Sequence, residues 1–416
     1  MSTAFEPDSI DYAMEPIQTL KGFRDFLPGE AKKRLWLRSI MERVSLSWGY
    51  QPIETPTLEP LELFAGQIGE DEKLFYSFTD NGGRMVALRY DQTVPTCRYL
   101  GQNYASLVFP FRRYQMQPVF RAEKPQKGRY REFIQFDLDI FGVSDVTADA
   151  EVIAASLAIY RAIGFTNAVA LINNRDIFAG IPYRAVVAID KFDKVGGTDG
   201  VLSDMEQAGI PLTEAKSYLD RILSAQADPS TRAIMDYLSQ SGISKEHFRF
   251  EPKLARSFSY SQGPIWEIII PDSGIGSVGG GERYDELCKR ISGYPIAATG
   301  IGIGFDRTLE AATTLGLIPK TLQDTDILVT VFSPELQPDS IRAATTLREK
   351  GFAVELYPDM QSKLEKQLKY ADKRGIPYVV IIGPDERDKN VIQLKTLATR
   401  SSQTLTLDGI PDGIKK

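Results

Sequence analysis

Arginine, carboxylate and amide side chains crowd the stretch 117–142, QPVFRAEKPQKGRYREFIQFDLDIFG, in an order suited to holding an anion beside a cation. Arg121 precedes a loop of Lys124, Pro125, Gln126, Lys127, Gly128 and Arg129, and Gln135, Asp137 and Asp139 follow it at every second position. Period-two spacing places those three on one face of a strand. The two strand-like runs around the loop predict a hairpin with a cationic tip and a carboxylate-lined floor. Such a hairpin suits a ligand anionic at one end and cationic at the other, as a nucleoside triphosphate beside an amino acid is. A basic tip alone is also what a solvated turn looks like. Inward carboxylates are harder to dismiss, because burying them is costly without cationic partners or a ligand cavity.

Three further groups fit the same chemistry. In ALRYDQTVPTCRYL, Asp91 and Thr93 stand two apart at an expected strand end, so they project together while Gln92 points away. A carboxylate beside a hydroxyl can receive an ammonium group; the plainer reading is an ion pair of Asp91 with Arg89 or Arg98. In KLARSFSYSQGPIWEI, Arg256 enters an expected strand and offers a planar charged fork to a phosphate, or else pairs with a nearby carboxylate. The glycines of GGGERYDEL permit close backbone approach or a simple bulge. In GIGIGFDR, Gly300, Gly302 and Gly304 leave one strand face bare, a surface for a flat ring, with Arg307 in the first turn of the next helix. That run lacks the βαβ setting of a dinucleotide fingerprint. Taken together, Arg121, Arg256 and Arg307 suit a polyphosphate, and Asp91, Gln135 and Asp139 suit a cationic small molecule.

Composition narrows the chemistry. The 416 residues include one histidine, His247, and two cysteines, Cys97 and Cys288, in no CxxC pair. A Ser-His-Asp triad, a multi-histidine metal site and a disulfide framework are thereby disfavoured, and a reducing cytoplasm is expected. Catalysis must run on arginines, carboxylates and a metal ion carried by the substrate. A net charge of −6 argues against coating nucleic acid by bulk attraction. No apolar run reaches a membrane span. The acidic first residues lack a secretion-signal layout and read as a mobile tail over 1–19.

The elements that must position these groups follow. A helix is expected over 29–48, with an apolar stripe through Leu35, Leu37, Ile40, Met41 and Val44. Pro52, Pro56 and Pro60 mark edge strands or connections. FYSFTD, MVALRYD, PFRRYQMQPVFR and FIQFDLDIFG read as successive antiparallel strands, followed by a helix over 149–164. A mostly helical insertion spans 168–250. Strands return after 251, and from Thr325 short strands and helices alternate as a small α/β domain. The fold class expected is an α+β catalytic domain on an antiparallel sheet, a helical insertion and a C-terminal α/β domain.

In these segments and their order the chain resembles the class II aminoacyl-tRNA synthetases, and within them the histidyl-tRNA synthetases. FRAEKPQKGRYREFIQFDLDIFG resembles the second class motif, GIGIGFDR the third, and the Pro56 region the first, at the dimer interface. RYDQT is similar to the amino-acid-binding segment. The Arg256 stretch and GGGERYDEL are similar to the two histidine signatures, and the last domain to the anticodon-binding domain. The resemblance implies a catalytic domain over 20–167 and 251–320, the insertion over 168–250, an anticodon-binding domain over 325–411, and a cytoplasmic homodimer. It implies that ATP, with Mg2+, and histidine form histidyl-adenylate, whose histidyl group passes to tRNA. Arg121 would hold the α-phosphate and the amino-acid carboxylate, Glu123 the adenine edge, and Arg129 and Arg307 other parts of ATP. Arg256 would face Arg121 across the α-phosphate. Asp91, Thr93 and Gln135 would take the amino group, Asp139 would accept from the imidazole, and Tyr260 and Ser261 would belong to the amino-acid site. No resident metal ligand is implied. The family reads R-G-L-D-Y-Y where this chain reads Arg256-Ser-Phe-Ser-Tyr-Ser261, so a serine stands at the second tyrosine, which helps hold the imidazole. Two other readings stay open: the synthetase-like regulatory subunit of ATP phosphoribosyltransferase, and an adenylating enzyme for another amino acid.

Overall fold

Alternation of side chains along the strands at 132–141 and 298–304 gives their sheet a packed face and a charged face. The structure, a computed structural model, describes residues 17–66, 75–124, 130–256, 261–319, 322, 325–411 and 414. Its contacts divide the chain into two units, Met1–Ile318 and Pro319–Lys416.

The first unit opens with α1 (Pro28–Ser47), which has proline at its start, where a missing N–H costs nothing. It buries Leu37, Ile40 and Met41, whereas Leu35 is exposed. Two residues along a helix turn a side chain through about 200°, so Leu35 leaves the stripe that Leu37 shares with Ile40 and Met41. Next come β1 (Gln51–Pro52), β2 (Leu58–Pro60), β3 (Ser77–Thr79), β4 (Met85–Leu88) and α2 (Thr93–Asn103). The long hairpin follows as β5 (Phe111–Phe120) and β6 (Glu132–Phe141), then α3 (Thr147–Ile163) and β7 (Val169–Asn174). Four helices, α4 (Tyr183–Asp190), α5 (Thr198–Gln207), α6 (Leu212–Leu223) and α7 (Pro229–Gln240), lead to β8 (Phe248–Phe250). The unit closes with β9 (Gln262–Ile269), β10 (Gly279–Arg283), α8 (Asp285–Ser292), β11 (Ala298–Gly304) and α9 (Phe305–Thr314).

Eight strands form one sheet in the order β1-β5-β6-β11-β10-β9-β7-β8, antiparallel except for the edge pairs β1–β5 and β7–β8. On one face Phe136, Leu138, Ile140, Ile301 and Ile303 pack with α3 and α1 in the main core. The other face carries Gln135, Asp137, Asp139 and the three alternating glycines of β11.

The expected run of four antiparallel strands is corrected in part. β4 pairs with β2 and β3 in a separate three-stranded sheet, and only β5 and β6 join the large one. The cause is α2, which intervenes: the segment expected to continue as a strand through Thr93 turns into a helix there. Pro95 sits in its first turn, where its fixed φ suits a helix and its missing N–H breaks no bond. Prolines 52 and 60 lie in the edge strands β1 and β2. Within the expected insertion 168–250, β7 and β8 are strands of the large sheet, while α4–α6 enclose their own core of Val186, Ile189, Val201, Met205, Leu219 and Ile222. Cys97 and Cys288, distant in sequence, are both buried and free where α2 packs on α8, and burial pushes the Cys97 thiol up.

The second unit holds β12 (Ile327–Val329), α10 (Gln337–Glu349), β13 (Val354–Leu356), α11 (Leu364–Arg374), β14 (Tyr378–Ile381), α12 (Pro384–Asp388), β15 (Ile392–Thr396) and β16 (Ser401–Leu405). Their order is β13-β12-β14-β15-β16, with β12 parallel to both neighbours and the last pairs antiparallel. This is the small α/β domain that the alternating strands and helices predict, with a partly parallel sheet.

Arg89 ties the small sheet to the hairpin. Its fully buried guanidinium donates from Nε to Pro118 O (2.8 Å) and from Nη1 to Thr55 O (2.7 Å) and Gln117 Oε1 (2.8 Å). Burial lowers its pKa to about 10, which still leaves it charged at neutral pH. Arg89→Met would remove the charged donor from Thr55 O and Pro118 O, leaving Gln117 Oε1 to Gln115 and the Thr55 N–H, and it is expected to cost about 3 kcal/mol. Urea unfolding followed by fluorescence should show the first unit's midpoint falling; an unchanged midpoint would remove Arg89 from this role.

Candidate active site

The charged face of the large sheet opens into a cavity of about 490 Å³. Arg121, Arg256 and Arg307 all line it, as do Asp91, Thr93, Glu123, Gln135 and Asp139. Gly300, Gly302 and Gly304 supply its floor. A Cβ at Gly300 would fall 1.8 Å from Asp139 Oδ1, and one at Gly280 would fall 1.5 Å from Arg256 Nη1. Only glycine lets those two side chains lie across the sheet.

The acidic floor rests on a cation that the sequence reading passed over. Arg113, fully buried on β5, places Nη2 2.7 Å from Asp139 Oδ2 and 3.5 Å from Asp137 Oδ2. The hydroxyl of Tyr284 donates to Asp139 Oδ1, and Gln135 Nε2 donates to Asp137 Oδ1 at 2.9 Å. Burial drives the Asp137 carboxyl up to about 7, with Arg113 opposing and Asp139 adding to the rise. Asp139 is also raised, again by burial. The signal for Arg113 was present in FRRYQMQ: Arg113, Gln115 and Gln117 are polar at period two on a central strand.

At the other end, Asp91 precedes α2 and accepts from Val94 N (3.3 Å), while Thr93 begins the helix. Burial pushes the Asp91 carboxyl to about 6, and Arg121 is among the groups opposing that shift. Asp91 pairs with neither expected arginine: Arg98 binds Glu59 at 2.6 Å, and Arg89 is engaged as described. Gln92 does not point away but is fully buried, its Nε2 donating to Gln135 O at 2.8 Å. Arg121 donates to Tyr90 O (3.2 Å) and lies 5.2 Å from the Phe133 ring centre.

Arg256 is not in a strand. It adopts φ 48° just ahead of the four undescribed residues 257–260, a conformation uncommon for a side-chain-bearing residue. The insertion holds it there. Asp190 at the end of α4 accepts from the backbone N–H groups of Ala255 (3.2 Å) and Arg256 (3.3 Å), and Arg175 donates to both carbonyls at 2.6 Å. Its guanidinium faces Glu282 and Glu267, the pairing with a nearby carboxylate that the sequence left open. Burial raises the Glu267 carboxyl, and Arg256 opposes it.

Arg307 stands in the first turn of α9 beside Asp306, which anchors the N-terminal segment. Asp306 Oδ1 accepts from Arg24 (2.8 Å) and Arg34 (2.7 Å), and Oδ2 accepts from Ile134 N (3.1 Å). Ser261 is buried and donates to Glu282, but it does not itself line the cavity. Arg129 and Tyr260, and the tail 1–16, fall outside the described residues. His247 lies away from the cavity, its Nδ1 2.9 Å from Ala168 O. Among the described residues no cluster of three His, Cys, Asp or Glu is placed to hold a metal ion, and no helix is long and apolar enough to cross a membrane.

The family model for histidyl-tRNA synthetase matches residues 22–195, and that for an anticodon binding domain matches 326–416. The histidine–tRNA ligase of Rhodopirellula baltica is 36% identical over 420 residues, covering 93% of this chain and 94% of that protein. The chain belongs to the histidyl-tRNA synthetase family. The histidine–tRNA ligase of Cytophaga hutchinsonii is 33% identical over 95% of this chain and 99% of its own length. The crystal structure of histidyl-tRNA synthetase from Nostoc sp. PCC 7120 superposes with a TM-score of 0.82 at 26% identity, covering 95% of this chain and 98% of that one. The family therefore gives an aminoacyl-tRNA synthetase that uses ATP, with the α+β catalytic domain and separate C-terminal domain expected from the sequence.

A carboxyl raised from an ordinary 3.8 to about 7 holds its proton more tightly in the folded than in the unfolded chain. Asp137 therefore lowers stability progressively as pH rises from about 4 to about 7. Asp137→Asn removes that dependence and keeps an acceptor for Gln135. Its thermal midpoint relative to wild type should climb between pH 4 and pH 7 and level off above. A difference independent of pH would refute this account of the floor.

Proposed function

We propose that this cavity joins histidine to ATP and that the resulting histidyl group is passed to tRNA. The reading is supported by one observation above all: three guanidinium groups and a set of buried carboxylates share a single cavity on the antiparallel sheet. In the first step a carboxylate oxygen of histidine attacks the α-phosphorus, and the bond to the β-phosphate's bridging oxygen breaks, releasing pyrophosphate. In the second a terminal ribose hydroxyl of tRNA attacks the activated carbonyl, and AMP leaves. Neither step needs an imidazole of the protein; positioning and charge neutralisation carry both.

Arg121 sits where it would contact both the α-phosphate and the amino-acid carboxylate, with Arg256 on the facing side. Arg307 takes the distal phosphates, and Glu123 the adenine edge. Asp91, Thr93 and Gln135 receive the amino group, and Asp139 lies toward the imidazole. Magnesium enters on the ATP phosphates, as its preference for phosphate and water oxygens favours. The insertion and the C-terminal unit are the surfaces assigned to tRNA, and a cytoplasmic homodimer is the assembly this reading carries.

ATP–pyrophosphate exchange with each amino acid in turn tests the assignment. Histidine-dependent exchange is expected. Arg256→Ala should lower its rate roughly 10²–10³-fold, the usual loss on removing one transition-state contact, with an unchanged circular dichroism spectrum. Exchange with a different amino acid would favour the enzyme of other specificity. No exchange at all would favour the regulatory-subunit reading.

A further inference from the structure

Glu282 is a carboxylate of the cavity to which the reaction above gives no role. It is 6% exposed, yet it lines the cavity. Strand register aligns it in one row with Gly300 and Asp139 across β10, β11 and β6. Because Gly300 has no side chain, nothing of the middle strand separates the two carboxylates, whose Cα atoms lie about 10 Å apart by strand spacing. A register shift between Glu282 and Arg283 is stabilised from the opposite face, where Arg283 donates to Asp149 (2.5 Å) and Val143 O (3.0 Å). That anchor keeps Glu282 turned to the cavity.

The two oxygens of Glu282 are used unequally. Oε2 accepts from the Ser261 hydroxyl, whereas Oε1 stands 3.6 Å from Arg256 Nη2, an ion pair too long for a hydrogen bond. Asp139 is more committed, with Arg113 on one oxygen and Tyr284 on the other. Ser261 occupies the position where the family has the second tyrosine of its first histidine signature. The serine does not line the cavity, but it holds a carboxylate that does.

We propose that Glu282, oriented by Ser261, accepts a ring N–H of the amino-acid substrate and sets specificity for an imidazole side chain. Glu282 thus takes over the contact made in the family by the missing tyrosine. The inference rests on the histidine-activating reading above.

The test is steady-state pyrophosphate exchange with histidine and with its two ring-N-methyl isomers. Glu282→Gln keeps a partner for Ser261 but removes the charge. It should raise KM for histidine roughly ten- to a hundredfold, the worth of one charge-assisted hydrogen bond. KM for ATP and the thermal midpoint should stay near wild type. Discrimination against one methyl isomer should shrink while that against the other persists. Ser261→Ala should give the same pattern more weakly, and it serves if the glutamine variant does not fold. Unchanged KM for histidine, or a joint rise in both KM values, would overturn the proposal and leave Glu282 as a mere partner of Arg256. Absence of histidine-dependent exchange in the wild type would instead bring down the underlying reading.

Discussion

Two neighbouring carboxylates in one dry sheet face repel each other and lose their hydration, and Arg113 is the cation that makes the arrangement tolerable. Its position on the central strand β5 sets much else. Arg113 holds Asp139 Oδ2 from the β5 side, while Oδ1 lies over Gly300, so that strand β11 must be glycine there. It leaves Tyr284 and Gln135 to satisfy the remaining oxygens. The cavity is consequently acidic at its floor and cationic at its mouth, with Arg121, Arg256 and Arg307 more accessible than Arg113. A ligand that carries its positive end inward and its phosphates outward meets both regions at once.

Which parts of this were legible in the sequence follows from how local each signal is. Period-two alternation in FIQFDLDIFG and GIGIGFDR is a property of single strands, and it located the floor and its bare middle. The helix at Thr93 was missed because RYDQTVP carries a β-like apolar approach and a proline, and only the position of that proline in a first turn reveals the change of element. Arg256 read as a strand residue because its neighbours are small or aromatic. The bonds that place it come from Arg175 and Asp190, far away in sequence. Glu282 and Arg113 were overlooked for a related reason: a charge in a strand is conspicuous only once its cross-strand partners are known.

The division of labour between the two faces also accounts for the size of the first unit's core. Helices α1 and α3 cover one face with aliphatic side chains, so the opposite face is free to carry groups that cost stability. Arg89 shows the same logic at a seam, where one buried guanidinium serves Thr55 on one segment and Gln117 and Pro118 on β5.

The grip of the helical lobe on Arg256 has a mechanical consequence. The backbone there stores strain on the order of 1 kcal/mol, and Asp190, at the tip of α4, is one of the clamps that maintain it. The lobe is thus a lever whose short arm ends at a guanidinium inside the cavity. A tilt of α4 would act on the Arg256 backbone directly, through the Asp190 carboxylate.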